Sequence, residues 1–155
     1  MQGKDLVRLV LPDTLKSIGD HAFYGCKYLS GSLIIPEGVE EIQMGAFNNC
    51  TGLNGTLSLP TTLKYLGTKG NDPNKETADE GNDYYGGVFQ NCSGLVGELI
   101  LPDNLELIRG YCFSGCNGLT GELRLPDKLR RLGNCAFSGC EGFTGSLSVQ
   151  IGRAH

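Results

Sequence analysis

Apolar and polar residues alternate in five short stretches, and each stretch ends at or just before a proline. The apolar positions are Leu9/Leu11, Leu33/Ile35, Leu57/Leu59, Leu99/Leu101 and Leu123/Leu125. Alternation with period two predicts a short β-strand with one buried face. Proline ends such a strand because it has no N–H to donate to a ladder. A second apolar pair and a compact turn that contains phenylalanine and cysteine follow each strand. The second pairs are Leu15/Ile18, Val39/Ile42, Leu63/Leu66, Leu105/Ile108 and Leu129/Leu132.

Three residue types keep one common period along the chain. Each column advances by 24 residues, except for one step of 42. The columns are Pro12, Pro36, Pro60, Pro102 and Pro126; Phe23, Phe47, Phe89, Phe113 and Phe137; and Cys26, Cys50, Cys92, Cys116 and Cys140. A fixed period of this size is the signature of a repeat architecture.

The period divides the chain into units, which we call rungs 1 to 5, and a partial sixth. The units are 7–30, 31–54, 55–96, 97–120, 121–144 and the partial 145–152, and the third carries an insertion at 68–85. One unit cannot bury its apolar face alone, whereas stacked units share a continuous core. The sequence therefore predicts a single solenoid domain over 1–155, with strands of adjacent units paired in parallel.

The segment "LILPDNLELIRGYCFSGCNGLTG" and its four sister copies resemble the BspA-type leucine-rich repeats of bacterial, and some protist, surface proteins. The resemblance covers nearly the whole chain apart from the insertion. It implies a right-handed leucine-rich-repeat superhelix with one short parallel β-strand per 24-residue rung and short turns or helical turns on the convex side. It also implies a secreted or surface-anchored protein associated with adhesion. We expect the chain to be a fragment of a larger protein, and the alternative is a full-length small protein that is capped by self-association.

Charge and composition exclude several functional classes. The net charge is −4, from 13 basic and 17 acidic residues, so no basic field indicates nucleic-acid binding. No run of 18 apolar residues predicts a membrane span. The two histidines, His21 and His155, lie far apart in sequence and have no partnered nucleophile. We therefore predict no enzyme, no catalytic residue, no cofactor and no metal site.

The seven cysteines leave three interpretations open. Five occupy the repeat column, which should point inward, where a free thiol behaves as a small apolar group. Cys112 and Cys135 stand outside that column. Buried free thiols are favoured because laddered side chains point in parallel, whereas a disulfide needs Cβ atoms turned toward each other. One or two disulfides, or a metal site, are the alternatives.

Variable strand positions should face solvent and hold any binding site. The candidate partner-binding residues are Arg8, Val10, Ser32, Ile34, Thr56, Ser58, Glu98, Ile100, Glu122 and Arg124, with Tyr84 and Tyr85 of the insertion. The alternatives are an ordinary solvated sheet face and, for the insertion, a solvated loop or a weakly matching calcium loop. A further column alternates in sign and predicts a ladder of surface ion pairs: Lys16, Glu40, Lys64, Glu106 and Arg130.

The sequence and the resemblance together favour a non-enzymatic protein-binding or adhesion module of an extracellular or cell-surface protein. The expected partner is a host matrix or surface protein, and not nucleic acid or a membrane interior. We expect a monomer or weak end-to-end association. The alternative function is a structural spacer that displays other domains and has no partner of its own.

Overall fold

The computed structural model describes residues 6–69 and 87–148, and it confirms the predicted solenoid. The chain forms a parallel-strand β-solenoid of about five turns with 24-residue spacing. No helix occurs in the described ranges; turns connect the strands. The strands are Ser17–Ile18 (β1), Gly31–Ile34 (β2), Glu41–Ile42 (β3), Leu53–Ser58 (β4), Tyr65–Leu66 (β5), Gly97–Glu98 (β6), Leu107–Ile108 (β7), Leu119–Arg124 (β8), Arg131–Leu132 (β9) and Phe143–Ser148 (β10).

Each rung contributes to a second parallel ladder that the sequence did not predict. The two-residue strands pair in the order β1-β3-β5-β7-β9. They arise from the second apolar pair of each unit, and Ile18, Ile42 and Ile108 of this ladder are buried. Two residues are too few to display the alternation by which a strand is recognised in sequence. The ladder also crosses the insertion without a shift, because Leu66 pairs with Ile108.

The remaining strands form a two-stranded sheet, β2-β4, and a three-stranded sheet, β6-β8-β10. The N–H of Val96 donates to the carbonyl of Gly55 at 2.9 Å, which links the rungs between the two sheets. The register shifts within these pairs. Glu122 pairs with Thr144, which is 22 residues later in the chain, whereas Arg124 pairs with Ser148, which is 24 residues later. The sequence offset between paired residues of β8 and β10 therefore changes within the strand pair.

The core is a set of stacked identical side chains. The phenylalanine rings form one continuous stack in which neighbouring rings are nearly parallel. Successive centroid distances are 5.1 Å for Phe23–Phe47, 5.6 Å for Phe47–Phe89, 5.4 Å for Phe89–Phe113 and 5.3 Å for Phe113–Phe137. Leucine and isoleucine positions of both ladders pack around this stack. The inner rungs therefore bury most of their apolar columns, as the sequence predicted, whereas Phe23 and Phe137 of the terminal rungs are half-buried.

The turn before each cysteine adopts a left-handed backbone conformation. The column holds only glycine or asparagine, with φ between 63° and 81°: Gly25, Asn49, Asn91, Gly115 and Gly139. These two residue types tolerate positive φ best, since glycine has no Cβ and asparagine is enriched in that region. The backbone geometry of the turn thus explains the composition of this column.

Candidate functional site

The predicted binding columns form one exposed surface, which we call the strand face: the outward side chains of β2, β4, β6 and β8 and the matching residues of rung 1. Nine of the ten described candidates are exposed, and Ser32 is half-buried. The nine are Arg8, Val10, Ile34, Thr56, Ser58, Glu98, Ile100, Glu122 and Arg124. Tyr84 and Tyr85, and most of the insertion, lie outside the described residues.

Glycines in β6 and β8 let side chains of the strand face lie close to the backbone. A Cβ at Gly97 would lie 3.1 Å from the methyl of Thr56, and one at Gly121 would lie 2.9 Å from Cγ of Glu98. The side chains of Thr56 and Glu98 can lie this close to the backbone only because Gly97 and Gly121 have no side chain. The hydroxyl of Ser32 accepts a hydrogen bond from the backbone N–H of Thr56 at 2.9 Å. The strand face is therefore an ordered surface.

The first groove of the strand face lies between rungs 1 and 2 and has a volume of about 450 Å³. Val10 and Ile34 line it and are 86% and 62% exposed. Asp13 and Glu37 also line it. Hydrogen bonds from the Thr61 hydroxyl at 2.6 Å and N–H at 3.1 Å lower the pKa of Glu37. This carboxylate is held charged beside exposed apolar side chains.

The second groove lies between rungs 4 and 5 and has a volume of about 510 Å³. Its exposed apolar side chain is Ile100, which is 68% exposed. Glu122 in this groove forms an ion pair with Arg124 at 3.2 Å. The charged residues of its lining are Glu98, Asp103, Glu122, Arg124, Asp127 and Lys128, an excess of acid over base. Both grooves thus combine apolar surface with net negative charge.

The alternating charge column does not form the predicted ladder of ion pairs. Among the described residues, no ion pair joins two of its side chains, and the backbone sets the register. The N–H of Glu40 donates to the carbonyl of Lys16 at 2.8 Å, and that of Lys64 donates to the carbonyl of Glu40 at 2.9 Å. The same bonds continue to Glu106 and Arg130. Long exposed side chains lose entropy when held in one geometry, and exposed pairs return little energy for that loss.

The cysteines are all free thiols, so the disulfide alternative is not realised. The repeat thiols of rungs 2 to 5 each donate to the carbonyl of the phenylalanine one rung earlier. The Sγ–O distances are 3.1 Å for Cys50–Phe23, Cys92–Phe47 and Cys116–Phe89, and 3.0 Å for Cys140–Phe113. Burial is the main cause of the raised thiol pKa, which reaches about 11 for Cys50 and Cys140 and rises further for the three most buried thiols. Thiols of this kind are inert structural groups.

No potential metal-binding group of three or more His, Cys, Asp or Glu side chains occurs within residues 6–69 and 87–148. The repeat cysteines serve the core, and the carboxylates of the strand face lie apart along its grooves. His21 is exposed and stands edge-on to Tyr24 at 5.3 Å between ring centroids. These side chains provide no convergent arrangement from which a catalytic step could be derived.

The first residues of the insertion are tied to rungs on both sides. Thr68 donates its hydroxyl to Asp20 at 3.0 Å and accepts the N–H of Met44 at 3.1 Å. Arg109, which is only 6% exposed, donates Nε to the carbonyl of Thr68 at 3.0 Å and Nη2 to that of Lys69 at 3.3 Å. The insertion therefore begins from a fixed position beside the short-strand ladder.

A third groove, on the turns that precede the cysteines, was missed by reasoning from sequence. It has a volume of about 500 Å³, and side chains of rungs 1 to 4 line it. We call it the amide groove and define it by Tyr24, Asn48, Asn49, Gln90, Asn91 and Tyr111. The only signal in the sequence is the replacement of glycine by asparagine at two positions of the turn column. That signal alone indicates turn geometry and not a site.

Comparison with known proteins finds a family and similar solved structures. The model of the BspA type leucine rich repeat region matches residues 2–70 and 84–151 in six copies. A leucine-rich repeat protein of T. pallidum is 25% identical with a TM-score of 0.60, and the match covers 89% of this chain and 67% of that one. A leucine-rich cell surface protein of Faecalibacterium prausnitzii is 23% identical with a TM-score of 0.65, and the match covers 92% of this chain and 33% of that one.

No curated protein sequence matches the chain. The family and its structural neighbours are non-enzymatic repeat proteins. In the ranges that the structure describes, no helix has the length and apolar character needed to cross a bilayer.

Proposed function

Because this chain belongs to the BspA-type leucine-rich repeat family, we propose that it is a non-enzymatic, protein-binding module of a bacterial protein exposed outside the cell. The proposed role is adhesion, through contact between the strand face and a matrix or surface protein. The neighbour from Faecalibacterium prausnitzii is described as a cell surface protein, which supports the proposed location.

The observation that carries the proposal is the exposure of large aliphatic side chains on the strand face. Val10, Ile34 and Ile100 are 86%, 62% and 68% exposed. The corresponding position of rung 3 is Ser58, so this column accepts a small polar residue without loss of the strand. Strand formation alone therefore does not require these aliphatic residues. Burial of these side chains against a partner would remove apolar surface from water and so stabilise the complex.

The charge of the grooves defines the chemistry of the proposed partner. Asp13 and Glu37 flank Val10 and Ile34, and acidic residues outnumber basic ones around Ile100. A surface that presents apolar side chains bordered by lysine or arginine complements both grooves. Apolar contact would supply affinity, and the charges would guide encounter and specificity. Binding of this kind weakens as salt concentration rises.

The experiment uses surface plasmon resonance with the immobilised chain and a panel of soluble matrix proteins. Two variants, Ile34→Glu and Ile100→Glu, place a charge on the strand face. Tyr28→Glu is the matched control, because Tyr28 is 55% exposed in a turn before the strand. Each strand-face variant should weaken saturable binding by about tenfold or more, since burying one aliphatic side chain contributes roughly 1.5–3 kcal/mol. The control should bind as the original chain does.

Deletion of 68–85 separates the strand face from the insertion as the binding site. The deletion restores the 24-residue spacing of the other rungs, and the short-strand register across the insertion is already continuous. Retained binding in the deleted chain supports the strand face. Loss of binding only in the deletion would transfer the site to the insertion. Absence of saturable binding by the folded chain to every member of the panel would favour the structural spacer.

A further inference from the structure

We propose that the amide groove is a second binding site, separate from the strand face, that takes a neutral saccharide. Within residues 6–69 and 87–148 the groove is lined by two tyrosines, four side-chain amides and Ser114, and by no charged side chain. Its volume of about 500 Å³ lies in the range of small-molecule sites. This inference goes beyond the proposed protein-binding role and rests on a different surface.

Hydrogen bonds within the groove fix the orientation of its amides. Asn91 donates Nδ2 to Oδ1 of Asn49 at 3.0 Å. Oε1 of Gln90 accepts from Nδ2 of Asn48 at 3.1 Å and from the N–H of Gly87 at 3.3 Å. With their oxygens held in this way, Asn49 and Gln90 each keep an amide NH₂ that makes no hydrogen bond within the described residues. Two donors are therefore already oriented at the groove, which reduces the entropy lost when a ligand binds.

Tyr111 stands at a turn position that is left-handed in most rungs. Its φ is 60°, and His21, Gly45 and Cys135 occupy the same column with φ of 54°, 68° and 57°. The conformation therefore belongs to the repeat turn, and it is unfavourable for a bulky residue. Tyr111 contributes an aromatic residue to the amide groove at a position where glycine would fold with less strain.

The second ring of the groove belongs to Tyr24, which is 48% exposed. It is oriented by edge-on contact with His21, at 5.3 Å and an interplanar angle of 67°. Tyr24 lies in rung 1 and Tyr111 in rung 4, so the rings border the amides of rungs 2 and 3. Aromatic rings on either side of oriented amides offer flat apolar surface together with directional hydrogen bonds.

The combination matches the chemistry of a neutral sugar ring. Its hydroxyl groups donate and accept hydrogen bonds, as amides do, and its C–H faces pack on aromatic rings. The described lining residues carry no charge, so they offer a phosphate, a carboxylate or a basic peptide no ion-pair partner. A protein partner needs a patch of about 800 Å² with apolar anchors, which this mainly polar groove does not supply. The observations therefore favour a saccharide.

The test titrates the full chain with neutral oligosaccharides of glucose, mannose, galactose and N-acetylglucosamine, and with a sialylated oligosaccharide. Affinity is measured by calorimetry, and the side-chain amide signals of Asn49 and Gln90 are followed by NMR. We expect saturable millimolar or tighter binding of at least one neutral oligosaccharide, with little dependence on salt. The signals of these two amides should shift during the titration.

Substitution of the strained tyrosine separates ligand binding from folding. Tyr111→Gly removes the ring and relieves the left-handed strain, so stability should stay equal or rise while affinity falls about tenfold. Cys135→Gly is the matched control, since Cys135 has a φ of 57° at the equivalent position of rung 5 and does not line the groove. Tyr24→Ala should weaken binding like Tyr111→Gly, and the control should not.

Three outcomes would overturn the proposal. The first is no saturable binding of any neutral oligosaccharide at millimolar concentration. The second is binding that Tyr111→Gly and Tyr24→Ala leave unchanged, because the ligand would then lie elsewhere. The third is binding of the sialylated oligosaccharide alone, with strong salt dependence, which would mean recognition of charge.

Discussion

Substitution of Phe89 tests whether the stack of phenylalanine rings holds the rungs together. Phe89 is fully buried, and its ring lies 5.6 Å from that of Phe47 and 5.4 Å from that of Phe113, at interplanar angles of 7° and 17°. Phe23 ends the stack, is half-buried and has one stacked neighbour, Phe47 at 5.1 Å. The same chemical change can therefore be made at a central and at a terminal ring.

The structure gives different magnitudes for the two positions. Truncation of a buried phenylalanine to alanine costs about 3–5 kcal/mol, which approaches the whole stability of a small domain. Leucine is the more informative replacement because it keeps most of the apolar volume and removes the ring contacts. Each aromatic pair contributes about 0.5–1.5 kcal/mol beyond its buried area. Phe89→Leu, which loses two pairs, should therefore cost about twice as much as Phe23→Leu, which loses one.

Urea unfolding at pH 7 provides the measurement. The chain has six tyrosines and no tryptophan, so tyrosine fluorescence and far-UV circular dichroism are suitable probes. Coincident transitions of the two probes would establish two-state unfolding, which short repeat arrays usually show when neighbouring units are strongly coupled. If Phe23→Leu lowers the free energy of unfolding as much as Phe89→Leu does, ring stacking does not determine the coupling between rungs.

Two further predictions concern the turn and the thiols. Gly25 has a φ of 69° and no heavy atom within 4 Å of a built Cβ, so Gly25→Ala should cost about 1–2 kcal/mol through conformation alone. In urea unfolding, Gly25→Asn should lower the free energy of unfolding less than Gly25→Ala does, and Gly19→Ala should not lower it measurably. Equal losses for the three variants would contradict the left-handed conformation of Gly25. The pKa of Cys50 in the folded chain is about 11 against an ordinary 9.0. The neutral buried thiol therefore makes its full contribution to the free energy of unfolding below pH 9, and this contribution is lost as the pH rises toward 11. In this pH range the free energy of unfolding of the original chain should therefore fall more steeply than that of Cys50→Ala, by about 1.4 kcal/mol per pH unit. Equal slopes for the two proteins would contradict the raised pKa of Cys50.

The solenoid could be predicted from sequence because its information is periodic. Phe89 and Cys92 recur at the same interval as their counterparts, and only a stacked arrangement buries the members of both columns in the inner rungs. The parallel direction of stacked side chains also favoured free thiols, and the structure has seven. Exposure of the strand-face candidates follows from the same alternation, although their role in binding stays a prediction.

Other features depend on geometry that a residue pattern does not contain. The Cys116 thiol donates a hydrogen bond to the backbone carbonyl of Phe89, one rung earlier. Because every residue type has a backbone carbonyl, the residue at position 89 does not indicate this bond. The ion-pair ladder was expected from the distance between rungs, but long charged side chains such as those of Glu40 and Lys64 adopt conformations that this distance alone does not fix. The register shift between β8 and β10, in which Glu122 pairs with Thr144, is a feature of the local backbone conformation, which the residue pattern does not specify.

Two asparagines in the turn column explain why the amide groove exists at one place along the solenoid. Asn49 and Asn91 are 42 residues apart, yet they stand on adjacent rungs and share a hydrogen bond. They meet because the short-strand ladder keeps its register from β5 to β7 while the chain between them carries the extra residues. In every other described pair of neighbouring rungs, at least one position of this turn column is glycine, which has no amide to offer. The groove is thus produced by two substitutions within a regular lattice, and the strand face, on another surface, can vary independently of it.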